Sequence, residues 1–399
     1  MTPGDESTDE LERCLRDSGS TYRADEVVAL VRAVAAAPQG HDPDAWLDLV
    51  APADAHGLRA RLLEMLATVR AEPRDDPPAA ERLGRLRAEL ERSGVTGFLL
   101  PLTDEHGSEY LPDAARRLSW LTGFTGSAGF LIVMPQIATL FVDGRYTLQA
   151  AAELDPELYE RAHITDTPPS GWLAERLEPG QRIGYDPALH RPNELERFEK
   201  AAERAGATLV PLGANPVDAV WQDRPPLPVS PVVQLDEAFA GESSEAKRAR
   251  IGSDVRSAGG DLMVVAAPDA IAWLLNIRGG DVPFNPLSLA YLLLHADGAA
   301  ELFIDRRKLR PDQHLGNGVS IQPIERFDDA LAGQAGRAVL ADPSSINARI
   351  TSRLKQAGAR VVEGKDPITP AKARKNAVEI EGARRAQIRD GAAMARFLA

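Results

Sequence analysis

Two loops of this 399-residue chain combine residue types that could bind a ligand. The first, residues 104–110 (DEHGSEY), concentrates charge between a strand-like and a helix-like segment, although an ordinary solvated loop has the same composition. The second, residues 121–129 (LTGFTGSAG), has three glycines among small hydroxyl residues. Its backbone N–H groups could approach a ligand closely, and a plain tight turn is an equal alternative.

A third candidate is Arg145, which lies in a third loop, Asp143-Gly144-Arg145-Tyr146, at the end of an apolar strand. A guanidinium at a strand end, preceded by a flexible glycine, offers two parallel N–H donors to a carboxylate. An internal pair with Asp143 or an ordinary helix start would explain the same residues. We therefore predict Arg145 as a substrate-binding residue and keep the internal pair as the competing interpretation.

The motifs of common catalytic sites do not occur in the sequence. It contains no GxSxG, no GxGxxG after a strand and no GxxxxGK[ST]. No histidine has a second histidine at zinc-motif spacing. The seven histidines are dispersed: His41, His56, His106, His163, His190, His295 and His314. We therefore assign no catalytic residue and no metal ligand within this chain.

The elements around the three loops alternate between helix and strand. Helices are predicted at 82–93, 145–154 and 193–205, together with one that ends near Trp120. Strands are predicted at 97–102, 130–134, 139–142, 182–185 and 208–212. Strands separated by helices of roughly 10 to 15 residues indicate an α/β domain, which we place at residues 81–222.

A similar pattern follows in residues 232–366, which we interpret as a second α/β domain. Phe303-Ile304-Asp305 stands where the first copy has Phe141-Val142-Asp143, and Ala341-Asp342-Pro343 where it has Tyr185-Asp186-Pro187. The offsets are roughly constant at 150 to 165 residues, which indicates a tandem duplication. Arg307 aligns with Arg145 but lacks the preceding glycine, so we predict a structural role for it.

Three further segments flank the two copies. Residues 1–72 have a helical pattern of no evident chemistry, with a helix start predicted at Asp42 and Pro43, and residues 73–80 are predicted to be a linker. Residues 371–399 form one amphipathic helical pattern with no terminating signal. We expect this helix to open a further domain.

Composition narrows the class of protein. The apolar fraction of 44% indicates a globular protein, and the net charge of −13 disfavours nucleic acid and anionic membrane surfaces as partners. No stretch reaches the roughly 18 apolar residues of a membrane span, and the first residues are acidic. Cys14 is the only cysteine, which fits a reducing compartment. The expected location is the cytoplasm.

Five segments in order resemble the Xaa-Pro aminopeptidase (aminopeptidase P) family, which lies within the creatinase and methionine aminopeptidase superfamily. The matching segments are residues 104–110, 118–129 (LSWLTGFTGSAG), 140–151 (LFVDGRYTLQAA), 221–228 (WQDRPPLP) and 269–286 (DAIAWLLNIRGGDVPFNP). The resemblance implies two creatinase-like N-terminal α/β domains followed by a pita-bread catalytic domain. Residues 371–399 look like the first helix of that catalytic domain.

The same resemblance implies the chemistry. Members of the family use two divalent metals, commonly manganese, held by residues of the catalytic domain, to release the first residue of peptides with proline second. The arginine of their DGRY motif contacts the peptide and matches Arg145. A homodimer is expected for the full-length enzyme, and no metal is expected in this chain, which we predict to be inactive alone.

Two other interpretations stay open. The chain could be a complete, non-catalytic binding or dimerising module of creatinase-like fold, or an enzyme of the same fold that cleaves a small C–N bond, as creatinase does. The segments WLTGFTGSAG and VDGRYTLQ, together with the duplication, favour the peptidase. The apolar last residues, Phe397-Leu398-Ala399, favour a truncated chain over a complete one.

Overall fold

The computed structural model describes residues 5–35, 44–71 and 76–399. The predicted helix start at Asp42 and Pro43, His41, and the first part of the predicted linker lie outside these residues. The chain divides into two compact units. The first contains residues up to 230 together with 281–285 and 346–352, and the second contains 231–280, 286–345 and 353–399.

The N-terminal segment folds as helices α1 (Asp5–Asp17), α2 (Ala24–Ala35) and α3 (His56–Ala71), with a short 3-10 helix at Ala45–Leu49. Apolar residues at helical spacing close a separate small core. Leu15, Leu30 and Leu62 are almost fully buried there, with Trp46 beside them. Most of the described residues of this segment are thus helical. The segment around Trp46 is a 3-10 turn, however, and not a regular helix.

Helix α4 (Ala79–Arg92) begins two residues before the predicted domain start. Ala79 and Ala80 are strong helix formers, so the helix extends back to Pro78, which has extended backbone angles and forms the cap position. The linker prediction of 73–80 is therefore wrong for its last two residues.

The first α/β domain then continues to residue 220. Its strands are β1 (Gly97–Pro101), β2 (Phe130–Val133), β3 (Ala138–Val142), β4 (Glu160–His163), β5 (Arg182–Tyr185) and β6 (Thr208–Pro211). Its helices after α4 are α5 (Arg117–Thr122), α6 (Thr147–Glu153), α7 (Pro169–Ala174), α8 (Pro192–Arg204) and α9 (Pro216–Val220). The sequence had not predicted β4, α7 or α9.

These six strands form one mixed sheet in the order β4-β3-β2-β1-β5-β6. The neighbours β1–β2 and β2–β3 are antiparallel, whereas the other three pairs are parallel. Side chains of β1 alternate between two cores: Phe98 and Leu100 face one, and Leu99 faces the other. A sheet covered on both faces explains why its central strands are continuous apolar runs.

The second α/β domain repeats this order of elements with a few changes. Its strands are β7 (Val233–Gln234), β8 (Leu262–Val265), β9 (Ile277–Arg278), β10 (Ala290–His295), β11 (Ala300–Ile304), β12 (Val319–Pro323), β13 (Ala338–Ala341) and β14 (Arg360–Glu363). Its helices are α10 (Glu237–Ala240), α11 (Ser244–Ser257), α12 (Pro268–Leu275), α13 (Phe327–Ala332), α14 (Ala348–Gln356) and α15 (Ile368–Ala373). The three short elements β7, α10 and β9 are additional, and a 3-10 helix at Arg306–Lys308 stands in place of α6.

The second sheet repeats the first strand by strand. Its order, β12-β11-β10-β8-β13-β14, and its pattern of parallel and antiparallel pairs equal those of the first sheet. Turn residues repeat as well: the Oδ1 atoms of Asp186 and Asp342 each accept a backbone N–H two residues later at 2.9 Å. The two tandem α/β domains that the sequence predicts are thereby confirmed.

The last segment differs from its prediction. Residues 371–399 are not one helix, because α15 ends at Ala373 and a separate helix, α16, runs from Ala377 to Leu398. Asn376 causes the break: its side chain accepts the Glu379 N–H at 3.0 Å, and the Glu379 carboxylate accepts the Asn376 N–H at 2.8 Å. This capping box starts a new helix.

Candidate functional site

Arg145 lies between β3 and α6 and forms a two-pronged ion pair with Asp143. Its Nη2 donates to Oδ2 of Asp143 at 2.7 Å, its Nε donates to Oδ1 at 3.1 Å, and its backbone N–H donates to the same Oδ1 at 2.9 Å. The hydrogen bond raises the pKa of Arg145 and lowers the pKa of Asp143. The Arg145 side chain is still 63% exposed, so its guanidinium is accessible to a ligand.

The second copy contains the same arrangement. Arg307 donates Nη2 to Oδ2 of Asp305 at 2.6 Å, Nε to Oδ1 at 3.0 Å and its backbone N–H to Oδ1 at 3.0 Å. This repetition shows that the Asp-x-Arg pair is a feature of the fold at this strand end. The pair by itself therefore does not identify a ligand site. Arg145 is a candidate because its surroundings differ from those of Arg307.

Tyr146 distinguishes the first copy from the second. Its hydroxyl lies 2.7 Å from Ser127 Oγ, its ring meets Phe124 edge to face, and the Arg145 guanidinium lies 5.2 Å from its ring centroid. The second copy has Lys308 instead, which is buried and donates Nζ to the Leu289 carbonyl at 3.1 Å. Only in the first copy does this residue join the arginine to a glycine-rich loop.

The glycine-rich loop, residues 121–129, is fixed by side chains. Glu153 on α6 accepts from the Thr125 backbone N–H at 2.8 Å and from the Thr125 hydroxyl at 2.6 Å. Gly126 is required here, since a Cβ would lie 2.3 Å from Phe124 Cζ and 2.7 Å from Tyr146 Cδ1. The N–H groups of Phe124 and Thr125 are already bonded within the loop region, so they do not fulfil the predicted role of ligand donors.

Two of the three loops that the sequence singled out share one pocket. Its empty volume is about 480 Å³, including open solvent at the mouth. The first loop and its continuation contribute Glu109, Tyr110 and Leu111, while the glycine-rich loop contributes Thr125, Gly126 and Ser127. Ser127 also bonds Tyr146, which follows Arg145. The structure thus brings all three predicted loops to one region of the first domain.

The first loop is partly buried and not simply solvated. Asp104 is 2% exposed, and its Oδ1 accepts the N–H groups of His106 at 3.0 Å and Ser108 at 2.8 Å. Glu105 bonds Arg117 Nη2 at 2.6 Å. The solvated-loop interpretation is therefore wrong for these two acids, whereas Glu109 and Tyr110 further along are exposed.

A buried ion network holds that loop in place, and sequence reasoning missed it. The Arg117 side chain is 3% exposed and bonds both Glu105 and Asp218, whose second oxygen pairs with Arg224 Nη1 at 2.5 Å. Burial is the largest single effect and raises the pKa of Glu105, but the charge of Arg117 and the hydrogen bonds to the carboxylate together outweigh it, and the pKa is lowered. Within the described chain, Arg117 Nη1 is buried without a hydrogen-bond partner. Arg117 stands between Arg116 and Leu118, and no local pattern in the sequence distinguished it from its neighbour.

The described residues contain neither a metal-binding cluster nor a membrane-spanning helix. Among residues 5–35, 44–71 and 76–399, no group of three or more His, Cys, Asp or Glu side chains is placed to hold a metal ion. The residues that the structure describes therefore do not fit a metal centre. In the same part of the chain no helix is long and apolar enough to cross a membrane.

Comparison with known protein families identifies both domains. Residues 82–220 and residues 223–379 each match a family described as the Creatinase/Prolidase N-terminal domain. The chain belongs to this family of creatinase/prolidase N-terminal domain proteins and carries the domain twice. The domain limits of 81–222 and 232–366 taken from the sequence remain predictions.

Curated relatives and a solved structure show which members of the family this chain resembles. The chain is 37% identical over 337 residues to the probable Xaa-Pro aminopeptidase P of Paracoccidioides brasiliensis (strain Pb18), a match that covers 80% of the chain and 54% of the relative. It is 36% identical over 336 residues to the corresponding protein of Coccidioides posadasii (strain C735), covering 80% and 51%. The chain thus spans about half the length of these relatives.

The structural comparison agrees. An X-prolyl aminopeptidase from Caenorhabditis elegans, described as a cytosolic enzyme with a di-nuclear active site, superposes with a TM-score of 0.74 at 32% identity. The match covers 80% of this chain and 55% of that structure. The resemblance to Xaa-Pro aminopeptidases that the sequence indicated is confirmed.

Proposed function

We propose that the protein carrying this chain is a metal-dependent Xaa-Pro aminopeptidase that releases the first residue of peptides with proline in second place. Its relatives bear that name, and the C. elegans structure supports the fold at a TM-score of 0.74. The observation that carries the proposal in this chain is the exposed Arg145, which Tyr146 and Ser127 join to a pocket.

In this proposal the two described domains bind and gate the peptide. The Arg145 guanidinium donates to a carbonyl or carboxylate of the substrate, because charge-assisted hydrogen bonds to planar oxygens suit its fork of donors. Asp143 restricts the orientation of this side chain before the peptide binds, which lowers the entropy lost on binding. These domains limit the length of the substrate.

The metal site of the proposed enzyme lies outside the residues described here. We propose two divalent ions, manganese by family resemblance, because the C. elegans enzyme has a di-nuclear site. Helix α16 would then be the first element of the catalytic domain, and the 399-residue chain alone would be inactive. We also propose that the enzyme is cytoplasmic, which the single cysteine and the cytosolic relative support. The family resemblance leads us to propose a homodimer.

A non-catalytic binding or dimerising module is the second candidate function. The observation in its favour is the pocket that the first loop and the glycine-rich loop line. Such a module would bind peptides through the same pocket without hydrolysing them. The two candidates therefore differ in turnover, and a kinetic measurement separates them.

The test compares two equivalent arginines in the protein at its natural length. Arg145→Ala should lower kcat/KM for an Ala-Pro peptide about tenfold or more, since a lost charge-assisted hydrogen bond weakens binding to that extent. Arg307→Ala is the matched control, because it removes the same Asp-x-Arg pair from the second copy. It should leave kcat/KM within about twofold, as expected for a substitution outside the site.

The assay is peptide hydrolysis with added manganese, with thermal unfolding as the check on folding. Absence of hydrolysis by the wild-type protein would refute the aminopeptidase proposal and favour the binding module. Hydrolysis with unchanged kinetics in Arg145→Ala would remove the substrate role of Arg145. The Asp143 ion pair would then be its whole explanation.

A further inference from the structure

The pocket beside the glycine-rich loop has an apolar floor that the domain core holds rigid. Leu111, Ala115 and Leu118 line it and are each less than a tenth exposed, so the space exists before any ligand arrives. Its empty volume of about 480 Å³ includes open solvent at the mouth, so the enclosed space beside the apolar floor is smaller. This space suits one side chain of moderate size.

The rim of the pocket carries one anion and one cation. Glu109 supplies hydrogen-bond acceptors, and Arg116, whose side chain is 46% exposed, supplies donors. A peptide main chain presents N–H donors and C=O acceptors at alternate positions, so it can satisfy both groups at once. A charged side chain, by contrast, would lose its water of hydration against the apolar floor, which is unfavourable.

The pocket is connected to Arg145 through Ser127 and Tyr146. Ser127 lines the pocket and lies 2.7 Å from the Tyr146 hydroxyl, and the Tyr146 ring centroid is 5.2 Å from the Arg145 guanidinium carbon. The pKa of Arg145 is raised chiefly by its hydrogen bond with Asp143 and to a smaller extent by the charge of Glu109. Glu109, a pocket residue, is thus within electrostatic range of Arg145.

We propose that this pocket is a specificity subsite for an apolar side chain of the peptide, located downstream of the proline and beside Arg145. The inference rests on the proposed aminopeptidase function and adds to it a preference of this first domain. A peptide whose main chain reaches Arg145 would insert the neighbouring side chain between Leu111 and Ser119. Leucine fits this environment, and glycine leaves it empty.

The experiment scans a leucine through the tail of a substrate of fixed length. The peptides are Ala-Pro-Gly-Gly-Gly and its three variants with leucine at position three, four or five, assayed with manganese on the protein at its natural length. One leucine position should raise kcat/KM about tenfold over the all-glycine tail, a magnitude typical of an apolar group entering a fitted pocket.

Ser119→Leu should abolish that preference because the new side chain fills the pocket from its α5 wall. Ser253→Leu, which adds the same side chain at an exposed serine of α11, is the matched control and should retain the preference. If Ser119→Leu does not fold, Tyr110→Ala replaces it. Tyr110 is a half-exposed residue of the pocket wall, and its removal opens the pocket. The ratio of kcat/KM between the preferred leucine peptide and the all-glycine peptide should then fall.

The outcomes separate this inference from the function beneath it. A single preferred leucine position that is lost in Ser119→Leu or Tyr110→Ala supports the subsite. Hydrolysis of all four peptides at equal rates, or a preference that survives both substitutions, overturns the subsite and leaves the aminopeptidase intact. Failure to hydrolyse any of the peptides overturns the aminopeptidase and the subsite together.

Discussion

Replacing Arg117 by methionine should destabilise the first domain markedly. Methionine keeps most of the buried stem but removes the charge that holds Glu105, which is 28% exposed, and one of the two cations that hold Asp218, which is 25% exposed. Breaking a buried ion pair from one side costs about 3 to 5 kcal/mol. Asp218 keeps Arg224 as a partner at 2.5 Å, which favours the lower end of that range.

One contribution reduces the loss of stability that is expected for Arg117→Met. Arg117 Nη1 is buried and unbonded within the described part of the chain, so its removal recovers about 1 kcal/mol of the desolvation cost. We therefore expect a loss of about 2 to 3 kcal/mol in the free energy of unfolding. With a urea dependence of about 2 kcal/mol per molar, the midpoint should fall by about 1 to 1.5 M.

The measurement is urea unfolding of the chain at pH 7, followed by tryptophan fluorescence, with Arg116→Met as the matched control. Arg116 is the neighbouring residue, but its side chain is 46% exposed and its contact to Asp113 is 3.4 Å, so its loss should cost less than about 0.5 kcal/mol. Equal midpoints for the wild type and Arg117→Met would refute the assignment of the network as a support of the loop.

The pH dependence gives an independent check on this prediction. In the wild type the pKa of Glu105 lies below its usual 4.5, so the stabilisation from its pair is complete above that pH and is lost as the pH falls further. In Arg117→Met the same carboxyl loses the charge and the hydrogen bond of Arg117, so burial, the largest remaining effect, raises its pKa relative to the wild type. Protonation of Glu105 then removes the cost of burying its charge. The difference in unfolding free energy between the wild type and Arg117→Met should therefore narrow in acid.

Two further predictions concern single side chains. Gly126→Ala should destabilise the first domain by about 1 to 3 kcal/mol in urea unfolding, because its Cβ overlaps Phe124 and Tyr146, whereas Gly129→Ala, with 3.4 Å of room, should change little. Burial and the neighbouring Asp342 raise the pKa of Asp366, so its ionised form destabilises the fold above that pKa. Asp366→Asn should therefore stabilise the second domain at pH 7 and lose this advantage below pH 3.8. Equal stabilities at pH 7 would contradict the second prediction.

The sequence predicted the central strands well because they are buried on both faces. Strand β5 has the predicted limits, and β1 differs by one residue. The edge strand β4, with the sequence ERAH, was missed, since an exposed strand needs neither apolar alternation nor branched residues. Helices α7 and α9, six and five residues long, are too short to show a helical period.

The candidate site was predictable only in part for a similar reason. Composition and family resemblance pointed to Arg145 and to both loops, because these residues are unusual where they stand. The pocket was not foreseen, since it depends on Leu111 and Ser127, which are adjacent only in the folded chain. The Arg117 network joins residues 101 positions apart, a separation that no local pattern records.

The edge strands of the two sheets affect whether strands of one domain can pair with those of the other domain. Two domains of equal strand order within one chain could exchange strands or extend each other's sheets during synthesis. The four edge strands each carry a charge or a proline: Glu160 in β4, Pro211 in β6, Pro323 in β12 and Arg360 in β14. Such residues discourage the addition of a further strand. These charged and proline residues thus protect the nascent protein from misassembly.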